Sequence, residues 1–162
     1  MSASLPKLRP TLRSLLLVCL TAIIAFALTS PSARAETGAL TSPPPPLIVP
    51  YTTYSGYTYL LYSDASIAYN SNLTVTISAT TQTKSSVSEV GAIYQLQRWT
   101  GTEWIDVGSS LSASSTNSSL YSGTKTLTTS SGYYYRGKLT HYAKQGTVTE
   151  SAIAYTSSVL ST

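Results

Sequence analysis

From Tyr51 onward, apolar and polar residues alternate in short runs, and no 3.6-residue period intervenes. Leu73-Thr74-Val75-Thr76-Ile77-Ser78-Ala79 is the cleanest run: aliphatic residues alternate with Thr and Ser, as in a strand with one buried and one wet face. Residues 57–62 predict a first strand rich in aromatics, and 66–69 either continue it or form a second short piece. Residues 90–99 predict another, with Tyr94 and Leu96 on one face and Gln95 and Gln97 on the other. Residues 121–128, 131–142 and 147–159 complete the set. Clusters of Ser, Gly, Asn and Thr lie between these runs. Residues 108–119, almost all Ser, Ala, Thr and Asn, read as a loop. The count is about seven strands in about 105 residues, which predicts an all-β chain folded as a single immunoglobulin/fibronectin III-like antiparallel β-sandwich.

Two stretches carry more detail. Trp99-Thr100-Gly101-Thr102-Glu103-Trp104 reads as a tight hairpin, because Gly suits the first central position of a type II′ turn. That register pairs Trp99 with Trp104 and Leu96 with Val107. It puts Leu96, Ile105 and Val107 on one face and both tryptophans on the other, beside Gln97 and Asp106. Residues 131–142 read as a strand in the middle of a sheet. Tyr135, Gly137, Leu139 and His141 take the core face. Tyr134, Arg136, Lys138, Thr140 and Tyr142 take the outer face, which bears both cations. Tyr133 and Tyr135 are each candidates for a tyrosine corner. Lys144-Gln145-Gly146 predicts the turn that follows.

Composition divides near residue 35. Lys7, Arg9 and Arg13 precede an uncharged run from Leu15 to Leu28, and Ala33-Arg34-Ala35 is a small-x-small cleavage site. This is the pattern of a signal peptide at 1–35, so the chain is expected to be secreted, cut after Ala35, with no membrane association afterwards. The apolar run is short of the about 20 residues that a membrane anchor needs. Cys19, the one cysteine, lies inside the run as an ordinary apolar residue. Of the ten basic residues, four lie before position 36; the other six match the six acids, so the rest of the chain is formally neutral. The basic character belongs to the leader and gives no ground for a nucleic-acid partner. Residues 36–50 hold the run Pro43 to Pro46 and read as a stiff proline-rich linker ahead of a domain at 51–162.

The combination Tyr94-Gln95-Leu96-Gln97-Arg98-Trp99, Glu103-Trp104, Ser131-Gly132-Tyr133-Tyr134-Tyr135-Arg136, His141 and Thr149-Glu150-Ser151 resembles a domain-of-unknown-function family of small secreted proteins from Gram-positive bacteria. The resemblance spans about residues 60–159 and implies secretion and a single β-domain. The family pattern has a small aliphatic residue where this chain has Gly137. It brings no catalytic or binding residues to transfer.

The chemistry-bearing residues are few. His141 is the only histidine, and no nucleophile-elbow motif accompanies it, so it reads as a structural, hydrogen-bonded residue and not as a catalytic base. Asp64, Glu89, Asp106 and Glu150 have neither metal-ligand nor calcium-loop spacing, so no metal or cofactor is expected. Asn72-Leu73-Thr74 and Asn117-Ser118-Ser119 match the glycosylation sequon, which a bacterial host would leave unused. All thirteen tyrosines and both tryptophans follow residue 50. Aromatic residues with polar tips suit sugar stacking and protein contacts, although strand propensity alone also selects them. Trp99, Trp104, Tyr134 and Tyr142 are the candidates for an outward aromatic binding surface. The expectation is a non-enzymatic binding or adhesion module at the cell envelope or extracellular matrix, whose partner is a cell-wall polysaccharide or another envelope protein. The alternative is a self-associating matrix or coat component built on exposed Ser/Thr/Tyr-rich edges. A small hydrolase using His141 comes third.

Overall fold

The computed structural model describes residues 38–47 and 52–162. The expected signal peptide, its expected cleavage site and the ends of the proline-rich segment lie outside the described residues. Seven strands follow one another: β1 (Thr52–Thr53), β2 (Leu60–Asn70), β3 (Thr74–Trp99), β4 (Trp104–Thr128), β5 (Tyr134–Gln145), β6 (Val148–Tyr155) and β7 (Val159–Leu160). They form one antiparallel sheet in the order β1-β2-β3-β5-β6, with β4 also paired to β3 and β7 to β5.

The sheet curls because of β3. Its first half pairs with β2 and its second half with β5, while β4 runs beside it almost throughout. Between Gln82 and Val87, β3 takes five steps where β4, from Leu120 to Ser118, takes two. The surplus bends the strand and reverses its parity. Val75, Ile77, Ala79, Thr81 and Thr83 are buried before the bend; Val90, Ala92, Tyr94 and Leu96 are buried after it. An odd shift is required if both halves are to keep their apolar side turned inward.

The two halves thus face each other across one core. Ile77 of the first half packs where a Cβ on Gly137 of β5 would come within 3.0 Å of it. The Tyr94 hydroxyl meets that of Tyr121 at 2.9 Å and donates to the Gly123 carbonyl at 3.0 Å. The open side of the curl is closed by Glu150 of β6. Its carboxylate accepts the backbone N–H groups of Thr58, Tyr59 and Leu60 at 2.6, 2.7 and 3.0 Å. Desolvation pushes the Glu150 pKa up, but those N–H bonds outweigh it and hold the carboxyl below its ordinary value. The Tyr57 hydroxyl adds a bond to the Ser151 carbonyl, and Tyr69 reaches the carbonyl of Thr162.

Several expectations change. Residues 108–119 are not a loop but the first half of β4, paired with β3 from Leu111 to Ser118. They have no apolar alternation because that half of β4 has little to bury, and backbone pairing alone makes it a strand. The aromatic run 57–59 precedes β2 instead of belonging to it, and 66–69 are the continuation of β2. The runs 73–79 and 90–99 are two halves of one strand. The turn after β5 falls at Gly146-Thr147, with Gln145 paired to Val148 and Gly146 at φ +60°. The last strand is split into β6 and β7, where the Thr156 hydroxyl accepts the Gly137 N–H and Thr156 N–H donates to the Gly137 carbonyl.

Candidate binding face

Trp99 pairs with Trp104, Gln97 with Asp106 and Leu96 with Val107, as the hairpin register requires. Gly101 alone in that turn has positive φ, at +104°. The two indoles lie 5.3 Å apart at 52°. They share a face with Gln97 and Asp106, while Leu96 is buried on the other.

On β5, Tyr135, Gly137, Leu139 and His141 are all buried, so the core face follows the alternation. On the outer face the cations are organised by their neighbours. The Arg136 guanidinium lies between two rings, 4.4 Å from the centre of Trp104 on β4 and 4.3 Å from that of Tyr155 on β6. Its Nε donates to the Gln97 carbonyl oxygen at 2.8 Å. The Gln97 amide donates to an Asp106 oxygen at 2.6 Å, and the other Asp106 oxygen lies 3.9 Å from the Lys138 ammonium. Burial between the rings lowers the Arg136 pKa, and the charge of Tyr155 opposes that shift; the group stays cationic at neutral pH. Four strands therefore contribute to one cluster: Gln97, Trp104 with Asp106, Arg136 with Lys138, and Tyr155. Its rings and its charged ends remain accessible, with the side chains of Lys138 and Asp106 exposed by 32 and 51%. Such a surface offers ring edges for stacking and fixed donors and acceptors beside them.

The four residues singled out from the sequence do not form one exposed surface. Trp104 belongs to the cluster. Trp99 is 7% exposed because the proline-bearing segment covers it: its Nε1 donates to the Ser42 carbonyl at 3.0 Å, and Leu40 N–H donates to the Gly132 carbonyl at 2.7 Å. Residues 38–47 are thus bonded to the sheet and are no free spacer. Tyr134, placed outward by parity, is 6% exposed. It opens β5 beside β7, and since Tyr135 is buried too, that end of the strand is covered on both faces. Tyr142 lies farther along β5, its ring over Gly91 and its hydroxyl donating to Glu89 at 2.7 Å. That bond holds the Glu89 carboxyl below its ordinary pKa, whereas burial, then the bond to Glu89, raises Tyr142. Arg136 and Tyr155, which complete the cluster around Trp104, were not among the four. The strand order that brings Tyr155 across from Lys138 is what a single strand's pattern does not contain.

His141 is fully buried. Its Nδ1 lies 2.7 Å from the Thr81 hydroxyl, which donates onward to the Gly91 carbonyl at 3.1 Å. This chain assigns the proton to Nδ1 and leaves Nε2 bare, with no hydrogen-bond partner among the described residues. Burial drives the pKa down to about 4, against the pull of the Asp64 charge. Among the described residues no three His, Cys, Asp or Glu side chains gather as a metal site would require. A cavity of about 240 Å³ opens between Leu96, Val107, Gly108 and Leu127.

No protein-family model and no curated protein matches this chain. Among solved structures, one described as "Crystal structure of protein from Archaeoglobus fulgidus" is similar at a TM-score of 0.35 and 11% identity, over 64% of this chain and 98% of that one.

Proposed function

We propose that this protein is a secreted, non-catalytic binding module of the cell envelope, with an immunoglobulin/fibronectin III-like sandwich as its scaffold. The strand order supports the scaffold: β2, the first half of β3 and the second half of β4 make one layer, and the other halves of β4 and β3 with β5 and β6 make the second. So does Tyr135, whose hydroxyl accepts the Ser130 N–H at 2.9 Å, five residues upstream, in the manner of a tyrosine corner. The leader pattern and the resemblance to secreted Gram-positive proteins support the location. His141, sealed in the core, favours a scaffold over a hydrolase.

The observation that carries the reading is the Trp104–Arg136–Tyr155 stack with its Gln97–Asp106–Lys138 border. Aromatic rings fixed by a cation and edged by an amide, a carboxylate and an ammonium are chemically suited to a polysaccharide: C–H faces on the rings, hydroxyls on the border. Retention of the purified protein on cell-wall polysaccharide is expected, and Trp104→Ala is expected to weaken it about tenfold, the usual cost of a central aromatic anchor. Equal elution of both proteins with the void from every envelope polysaccharide would remove the carbohydrate reading.

A further inference from the structure

Residues 38–47 lie over the tip of the β3–β4 hairpin, yet none of them joins a strand. The run Pro43 to Pro46 has no amide donors to offer a sheet. Among the described residues two hydrogen bonds hold the strap: the Leu40 N–H donates to the Gly132 carbonyl, and the Trp99 indole N–H donates to the Ser42 carbonyl. Packing adds Pro44, which is buried, and Leu40, which lies against Gly132 but keeps 67% of its surface exposed. The Thr41 hydroxyl is buried with no partner among the described residues, a desolvation cost that water would remove on release. The closed position is therefore shallow. Beneath it the Trp99 ring stands 5.3 Å from that of Trp104. Lifting the strap frees a second ring and an indole N–H donor on the same face as the Arg136 stack.

We infer that Trp99 is a second aromatic subsite of the binding face and that residues 38–47 are its displaceable cover. The inference rests on the polysaccharide reading of the Trp104 stack and adds that site's regulation. The Ser42 carbonyl takes the indole N–H that a sugar hydroxyl takes once the strap has lifted. The strap is thus a tethered competitor. A glycan that extends from Trp104 to Trp99 binds with its intrinsic affinity multiplied by the fraction of molecules whose strap is open.

Hydrogen exchange of the full chain, resolved at the Trp99 indole N–H and the Leu40 amide, tests the cover without any ligand. The two are expected to exchange together, about a thousandfold faster than the amides of central β5. Two variants shift the opening in opposite directions and leave the binding face untouched. Leu40→Pro removes the donor to Gly132 and is expected to speed exchange of the Trp99 indole about tenfold. Thr41→Val replaces the unpartnered hydroxyl by a methyl group and is expected to slow it about fivefold. Retention on immobilised cell-wall polysaccharide is then expected to rank Leu40→Pro above the unaltered protein and that above Thr41→Val. Trp99 exchange as slow as that of central β5 overturns the cover, as does a folded Leu40→Pro variant with an unchanged rate. Altered exchange with equal retention of all three proteins overturns Trp99 as a subsite and leaves the Trp104 face standing. Retention of none removes that face and the subsite with it.

Discussion

β5 and β4 both pair with β3, and they share little else. β5 has a neighbour on each side, and its buried and half-buried residues alternate almost to its end. Among the described residues β4 has one neighbour, and most of its side chains face solvent. β5 could be recognised from Tyr135, Gly137, Leu139 and His141 because its side chains are selected by what they pack against. β4 is held by backbone pairing to β3, a property that serine and threonine satisfy without leaving a pattern. Alternation reports burial, and only where burial exists does it report a strand.

The first way to break this comparison is to truncate one apolar residue in each strand. Leu139→Ala, at a position with no exposed surface, is expected to cost about 3 kcal/mol, with the cavity left in the core adding to the lost transfer energy. Leu120→Ala in β4 should fall within about 0.5 kcal/mol of the unaltered protein. Urea unfolding of the two measures the contrast, and similar losses would mean that β4 is buried more deeply than its exposure suggests.

A pH series sharpens it. The unfolded chain takes up a proton at His141 near the ordinary value of 6.5, and the folded chain only near about 4. Stability is therefore full above about pH 6.5 and falls as pH drops toward 4, by about 3 kcal/mol over that window. His141→Gln is expected to flatten this part of the profile, in chemical denaturation at pH 7 and pH 4. An unchanged slope would mean that other groups carry it.

Gly91 joins the two regions, since it pairs with Ser114 of β4 and with Tyr142 of β5. A Cβ there would meet the Ala113 carbonyl oxygen, Ser114 Cβ at 2.8 Å and Tyr142 Cζ at 2.9 Å. Gly91→Ala is expected to cost about 2 kcal/mol, visible as a lower thermal midpoint. The smallest effect lies at the β2–β3 turn. Leu73 holds φ at +56° with its side chain 40% exposed, so Leu73→Gly should stabilise by about 0.5–1 kcal/mol in the same thermal assay.

Much of the fold was legible in the residues. The Trp99–Trp104 hairpin was readable from Gly101, the core face of β5 from its parity, and the all-β class from the absence of a helical period. The bend of β3 was not, because Lys84-Ser85-Ser86 looks like any polar connection, and only the change from odd to even buried positions marks it as continuous strand. Of the candidate surface, Trp104 with Gln97 and Asp106 followed from one hairpin's register. Arg136 and Tyr155 required knowing that β5 lies between β3 and β6, which is a fact of tertiary pairing. The burial of Trp99 required knowing where residues 38–47 go.

Binding of envelope polysaccharide by single-residue variants, each first shown to keep the parent thermal midpoint, tests the binding-face assignment most directly. Tyr155→Ala and Trp104→Ala are each expected to weaken retention about tenfold, while Tyr142→Ala, outside the Arg136 stack, leaves it unchanged. Loss of retention in Tyr142→Ala with full retention in the other two would contradict the account.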